Sequence, residues 1–366
     1  MIRTLITISL LVTVPIHNLF AQKIDLDKRK FKTEYAQLPT DRTLSYFDTY
    51  SVDFFTNQSI LDVVGLFPTT INALFDLEGY VYTKEEAQFN YSITIEKPIL
   101  IVERIENIEQ TIKNTDGTRK KVITYVAIAS YAIPTTICIK LIPYGTVLYS
   151  ATFSTNSNPT VYKSAPQTNL PSALSILNAQ TKGINTYVTN TYRDALKAEV
   201  QKLKNVFCFQ TWISSNLLWE VDEKNNPNFS VFNSEVNKCV YQLEKLDKNT
   251  PVTDARIQMA SSIAYWSSIL TDTKATSKNL LKLRYACLYN IAVCQYYLEL
   301  YDDCIATCDL LIANKHNRSD GTNLKHQVKL AQESILKSGL TSRHQERLGF
   351  VSTERFEYIR APKNRY

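Results

Sequence analysis

The chain has 366 residues and carries 41 Lys and Arg against 35 Asp and Glu, a formal net charge of +6. Charge this mild, spread along the chain, does not make a nucleic-acid interface, which needs cations gathered on one face. The 8 glycines are all separated by more than two residues. Neither a Gly-rich phosphate loop nor a dinucleotide fingerprint can be written, which excludes the common nucleotide chemistries.

At the start, Arg3 precedes an apolar run from Leu5 through Pro15. That run is too short to span a bilayer as a helix but has the length of a signal-peptide core. Cleavage after Ala21 is expected, giving a signal peptide over 1–21 and lowering the net charge from +6 to +5 as Arg3 leaves. The ending Leu19-Phe20-Ala21-Gln22 is similar to signal peptides of Bacteroidota. No later stretch approaches 18 apolar residues, so no membrane-spanning segment is expected after cleavage. The remaining length exceeds what one hydrophobic core usually serves and suggests two domains.

From about Tyr46 to Phe153 the apolar pattern has period two, the mark of half-buried strands. Phe89, Tyr91, Ile93 and Ile95 alternate with polar residues, as do Val147, Tyr149, Ala151 and Phe153. Two longer runs, Ile99 to Ile112 and Val122 to Ile142, are joined by Asn114-Thr115-Asp116-Gly117, where Asp-Gly reads as a hairpin turn. Pro134 marks an edge, a bulge or a change of partner within the second run. Ser59 to Phe75 fits either class, with Pro68 interrupting, and stays unassigned. The expected architecture here is an antiparallel β-sheet or sandwich over 22–155.

A Ser/Thr/Asn/Pro-rich passage reads as a linker over 156–182. Beyond it the period becomes helical. Ile184, Tyr187, Val188, Tyr192, Leu196, Val200, Leu203 and Val206 make one stripe. An extended stretch from Phe207 to Val221 carries Trp212 and Trp219, and helices follow at 234–246, 253–270, 278–299, 301–313 and 324–337. The α-helical region spans 183–340 and a basic tail 341–366. Of seven cysteines, Cys287, Cys294, Cys304 and Cys308 fall on apolar helix positions, where Cys acts as a small buried hydrophobe. A metal cluster built on Cys304 and Cys308 at i, i+4 is the less favoured reading.

The segment Tyr289 to Ile312 carries the one specific motif. Small Ala292 lets one helix approach the next, where Cys304 stands in the place of a second small residue. Tyr296 and Tyr301 fill the space between helices, and Leu300-Tyr301-Asp302-Asp303 supplies the turn and helix start. This resembles the tetratricopeptide repeat, a 34-residue helix-turn-helix. The match covers about a tenth of the chain. It departs at Glu299, a turn position often Gly, and at Asn314-Lys315, where a closing Pro is common. Since one repeat cannot bury its own faces, Phe229 to Leu246 with Ala255 to Leu270 are the expected neighbours on one side. Leu324, Val328, Ala331 and Ile335 make the capping face on the other.

Catalytic parts are missing. His316, His326 and His344 belong to no HExxH pattern, and no GxSxG elbow appears. Glu85-Glu86, Asp302-Asp303 and Glu103 with Glu106 read as solvated surface rather than acid-base pairs. The 22 tyrosines suit a protein that meets other molecules. Arg343, Arg347, Arg355, Arg360, Lys363 and Arg365 make the tail basic, compatible with an acidic partner surface and more simply with disorder. The tail does not read as the β-sandwich sorting domain of Bacteroidota surface cargo. The α+β chain is therefore expected to be a non-enzymatic exported scaffold or adaptor, without cofactor or metal, in the periplasm or cell envelope. It would bind a protein or peptide with the concave surface of the helical region, the β-rich region offering a second docking surface, in a secretion, motility or envelope-assembly complex. Gln295, Tyr296 and Tyr297 are the candidate groove residues. The alternative is a carbohydrate-binding accessory protein that stacks sugars on Trp212, Trp219 or clustered tyrosines.

Overall fold

Phe89, Tyr91, Ile93 and Ile95 are all buried on one side of a strand, so the alternation read from the sequence sets which face of the sheet meets the core. The computed structural model describes residues 23–113, 115, 117–181, 186–223, 229–272 and 277–344. The expected signal peptide at 1–21, Ile184 of the expected long helix and the tail beyond 344 lie outside the described residues. The chain is mixed α and β and divides into two compact units. One is made of 23–37 with 211–344, the other of 38–210.

In the 38–210 unit the chain runs through β2 (Thr49–Phe55), α1 (Gln58–Val64), α2 (Pro68–Phe75), β3 (Val81–Tyr82) and β4 (Phe89–Ile95). It continues through β5 (Ile99–Lys113), β6 (Arg119–Ala132), β7 (Thr135–Leu141), β8 (Val147–Phe153), β9 (Thr160–Lys163), α3 (Leu170–Thr181) and α4 (Thr186–Phe207). The unassigned segment is two short helices. The Asn57 side chain accepts the Ile60 N–H at 2.9 Å to start α1, and Pro68 opens α2, where its missing N–H costs nothing.

One sheet has the order β3-β2-β4-β7-β8, the other β5-β6-β9. β2 lies parallel to both β3 and β4, which corrects the expectation of a wholly antiparallel sheet. A parallel return needs a crossover, and α1 and α2 supply it between β2 and β3. The remaining pairs of these sheets are antiparallel. Pro134 falls between β6 and β7, where the chain leaves one sheet for the other. β5 and β6 form the expected hairpin, with Gly117 at φ +86° between them; Asp116 lies outside the described residues.

The inner face of the larger sheet is lined with rings. Phe75 of α2 meets Phe54 and Tyr91 at 5.4 and 5.1 Å between centroids, and Tyr192 of α4 stacks on Phe153 and shares a 2.7 Å hydroxyl contact with Thr135. Gly79, at φ +93°, lets Phe209 close over the sheet, since a Cβ there would lie 2.4 Å from the Phe209 ring.

The other unit contains β1 (Leu26–Gln37), most of β10 (Gln210–Val221), and α5 (Ser230–Glu244), α6 (Thr253–Asp272), α7 (Lys278–Tyr297), α8 (Tyr301–Ala313) and α9 (Arg318–Ser338). The helices pack against one another in chain order. β1 and β10 form a two-stranded sheet, and the Asp222 N–H donates to the Asp25 carbonyl at 3.0 Å where the start of β1 meets the end of β10. Both strands belong to the same core as the helices: Phe31 and Leu218 are buried with Phe232, Trp266, Ile291 and Tyr297.

The chain does not divide at the expected boundaries 155/156 and 182/183. Thr160–Lys163 within the expected linker pairs with β6, and Leu170–Thr181 is α3, whose Leu177 packs on Ala127 and Tyr131. The Ser/Thr/Asn/Pro richness there supplies turns and a helix start, as Asn169 shows by accepting the Ser172 N–H at 2.8 Å. α4, expected in the helical region, belongs to the 38–210 unit. No described helix is long and apolar enough to cross a membrane.

Candidate interaction surfaces

α7 is buried almost all round. From Tyr285 to Tyr297 every side chain but Tyr289 is buried, which requires neighbours on all sides. α6 and α8 cover part of it, and Cys304 of α8 donates its thiol to the Ala292 carbonyl at 3.1 Å, the close approach that small residues permit. α5, α9 and the β1–β10 sheet pack on the remaining sides. Asn290 accepts the Trp219 N–H at 2.7 Å and donates to the Trp219 carbonyl at 2.9 Å, so one side chain takes the place of a neighbouring strand. The Tyr297 hydroxyl shares a hydrogen bond with the Ser214 hydroxyl at 2.9 Å and accepts from Asn216 at 3.3 Å, and its ring meets that of Phe31 at 5.6 Å.

These contacts decide the candidate groove residues. Gln295 is buried and accepts the Thr307 hydroxyl at 2.7 Å, while Tyr296 and Tyr297 are buried among side chains of their own unit. The three do not line an open groove: Gln295 is held by Thr307 of α8, Tyr296 by Arg343, and Tyr297 by Phe31 of β1 and Ser214 and Asn216 of β10. Trp219 is half-buried against Tyr285 and Tyr289, whereas Trp212 is 51% exposed. Seven residues apart on one strand, they point to opposite faces and form no joint stacking platform.

Tyr296 takes part in a second arrangement that the sequence reading missed. Glu299, in the α7–α8 turn, has φ +58°, a left-handed conformation that Gly adopts most readily. Its carboxylate accepts the Arg343 main-chain N–H at 2.8 Å and faces Nε at 3.4 Å. The guanidinium lies over the Tyr35, Tyr296 and Tyr301 rings and donates to the Tyr296 hydroxyl and carbonyl at 3.1 and 3.3 Å. The Arg343 carbonyl in turn accepts the Ala36 N–H of β1 at 2.9 Å. Arg343, placed in an exposed basic tail by the sequence reading, is instead 4% exposed, and His344 is 2% exposed. His344 Nδ1 lies 2.7 Å from the Asp247 carbonyl, and burial together with the nearby Arg343 charge holds its pKa below the ordinary value.

All seven cysteines are free, and all but Cys138 are buried. Burial pushes the Cys208 thiol up to about 12 and the Cys287 thiol higher, so both stay protonated and act as packing residues. Among the described residues no three His, Cys, Asp or Glu side chains come together to hold a metal ion. Asp302 and Asp303 stand in the first turn of α8, where they favour the helix dipole.

The open surface lies in the 38–210 unit. β5 and β6 pair from Ile99 to Lys113, yet β9 meets only Ile128 to Tyr131, so the far half of the ribbon extends beyond its third strand. No residue of β5 is buried, nor any of the first seven of β6. Ile112 and Ile123 are 48% and 52% exposed. The register puts Ile108 and Val122 on the face of Ile112, and Ile123 on the other face with Glu109. Arg119, Lys120 and Lys121 make the tip basic, with Lys121 holding Glu109 at 2.6 Å. On the open face of the larger sheet a polar depression is lined by Ser51, Asp53, Asn90 and Lys140, and Asn90 donates to Ser51 and Asp53 at 3.1 and 3.0 Å.

No family model matches the chain, and no curated protein matches it in sequence.

Proposed function

We propose that the chain is a non-enzymatic exported scaffold of the periplasm or cell envelope that engages a protein partner through the β5–β6 ribbon. One observation carries this reading: a ribbon of paired strands, up to fifteen residues long, has apolar side chains on both faces of its outer half, where Asn107–Lys113 pairs with Arg119–Tyr125 and no residue is buried. Isolated two-stranded ribbons are marginal in water, so a segment of this form gains stability from what it binds. Aliphatic residues flanked by Lys and Arg suit a protein surface with an apolar strip and an acidic border.

The helical unit is read as a tetratricopeptide-like array and the two compact units as two domains. Support comes from the α7–α8 hairpin with Ala292 against Cys304, and from α5, α6 and α9 stacked in sequence order. In that reading the candidate groove residues Gln295, Tyr296 and Tyr297 are held within their own unit, which moves the binding role to the ribbon. The test is affinity capture from envelope extracts with the intact exported chain and with Ile112→Asp and Ile123→Asp. Loss of one recurrent, identified protein from both variants supports the proposal; capture unchanged by either variant refutes it.

A further inference from the structure

β5 is the edge strand of its sheet. Among the described residues its main chain pairs with β6 alone; α3 packs on one face of β5, with Ile105 in the cluster of Ile176 and Leu177, while no strand pairs with the outer side between Val102 and Lys113. Natural sheets protect such edges with prolines, inward charges or very short strands, because a free edge recruits another strand. This edge is long and free of proline, and its charges, Glu103, Arg104, Glu106 and Glu109, turn unmatched strands away, so it admits only a strand whose charges complement them.

The charges on β5 say which strand. Two antiparallel copies of one strand related by a twofold axis meet in registers whose paired positions sum to an even number, with facing residues on the same side of the sheet. Centred on Glu103, Glu106 or Glu109, the pairing sets a carboxylate against its own copy; centred on Arg104 it sets two guanidinium groups together. Centred on Asn107 no charges meet, and centred on Ile108 Glu103 meets Lys113 only at the two ends of the ladder; centred on Ile105, Arg104 of each copy faces Glu106 of the other, twice and beside the axis. Val102 then faces Ile108, Glu103 faces Asn107, and Ile105 meets itself. Arg104 and Glu106 are both on the surface and in the single chain hydrogen-bond each other at 2.9 and 2.6 Å, so neither is committed to the core.

We propose that β5 pairs with β5 of a second copy of this chain over 102–108, in the register centred on Ile105, to form a continuous six-stranded sheet across a twofold axis. The tip of each ribbon, from Ile112 to Ile123, stays outside this ladder and free for the partner proposed above. This deepens that reading by naming one occupant of the same ribbon, and rests on it only for the ribbon being an interaction surface.

The test is the mass of the intact mature chain by light scattering across a dilution series, with circular dichroism to confirm folding. Wild type is expected at twice the chain mass. Arg104→Glu sets two carboxylate pairs across the axis and Glu106→Arg two cationic pairs, and each variant alone should dimerise about thirtyfold more weakly. When the two variants are mixed, positions 104 and 106 are both acidic in one chain and both basic in the other. Each facing pair then joins a carboxylate to a guanidinium, and the mixture should regain the dimer. That rescue cannot come from contacts within a chain. A monomeric wild type, or a dimer indifferent to either substitution, overturns the proposal. In both of those cases capture of a foreign protein through Ile112 and Ile123 would leave the scaffold reading standing, and loss of that capture with the dimer intact would remove the scaffold reading alone.

Discussion

Arg343 and Glu299 form an ion pair buried on both sides, their side chains exposing 4% and 3% of their surface. Removing one partner of such a pair strands a charge away from water, which costs about 3–5 kcal/mol. Glu299→Ala is therefore expected to destabilise the 23–37/211–344 unit by that order in chemical denaturation. Glu299→Gly relieves a left-handed backbone worth about 1 kcal/mol. Because the lost carboxylate costs more, it too should destabilise. The double change Glu299→Leu with Arg343→Met should cost less than either single loss, since it buries no lone charge.

The strap that carries Arg343 also sets a pH dependence. His344 has its pKa lowered in the folded chain, chiefly by burial, with Arg343 adding to the effect while the Asp247 carbonyl and Glu299 oppose it. A base held below its unfolded value of about 6.5 leaves the folded state short of a proton relative to the unfolded one. Stability is then full above about pH 6.5 and falls as pH drops through the folded pKa. His316, lowered by burial and by Lys282 and Lys278, acts in the same direction. Denaturation midpoints measured from about pH 7.5 to 5 should fall more steeply in the wild type than in His344→Gln.

Asn290 closes the gap between α7 and β10 with two hydrogen bonds to the Trp219 backbone. Asn290→Ala leaves an N–H and a carbonyl without partners in a half-buried place, at about 1–3 kcal/mol for each orphaned group. Hydrogen exchange should show the Trp219 amide losing protection in this variant before the amides of α8 do. Equal protection in both proteins would mean that the strand is held by its side chains alone.

Gly79 combines positive φ with a position 2.4 Å from the Phe209 ring for any added Cβ. Backbone strain and overpacking each cost about 1–3 kcal/mol, so Gly79→Ala should lower the stability of the 38–210 unit by about 2–6 kcal/mol. Gly117→Ala is the control, since its Cβ meets nothing within 4 Å and only its φ of +86° opposes the change. It should cost the strain alone.

Much of the fold was legible because period and burial agree. β4, β7 and β8, the hairpin of β5 and β6, the break at Pro134 and the run of helices from α5 onward all follow from alternation, turn residues or helical stripes. Chain connectivity was not legible. β1 has only Phe31, Thr33 and, out of phase with them, Ala36 buried, and its neighbour β10 lies more than 170 residues away, a pairing no local pattern announces. The parallel lie of β2 was hidden for the same reason. Of the candidate site, Tyr296 was found and misplaced: its spacing shows that it fills a gap between helices, but not that Arg343 fills it too. The one signal was Glu299 at a glycine position, a residue held in strained backbone because its carboxylate is needed there.

Docking of a protein partner on the β5–β6 ribbon is the claim on which the proposed function rests. Site-specific photo-crosslinkers placed at Ile112 and Ile123, with Trp212 and Tyr241 as exposed controls on the helical unit, would test it directly in the native host. One recurrent protein adduct, identified by mass spectrometry, is expected from the two ribbon positions and not from the controls. Adducts from Trp212 or Tyr241 alone, or only polysaccharide from any position, would contradict it.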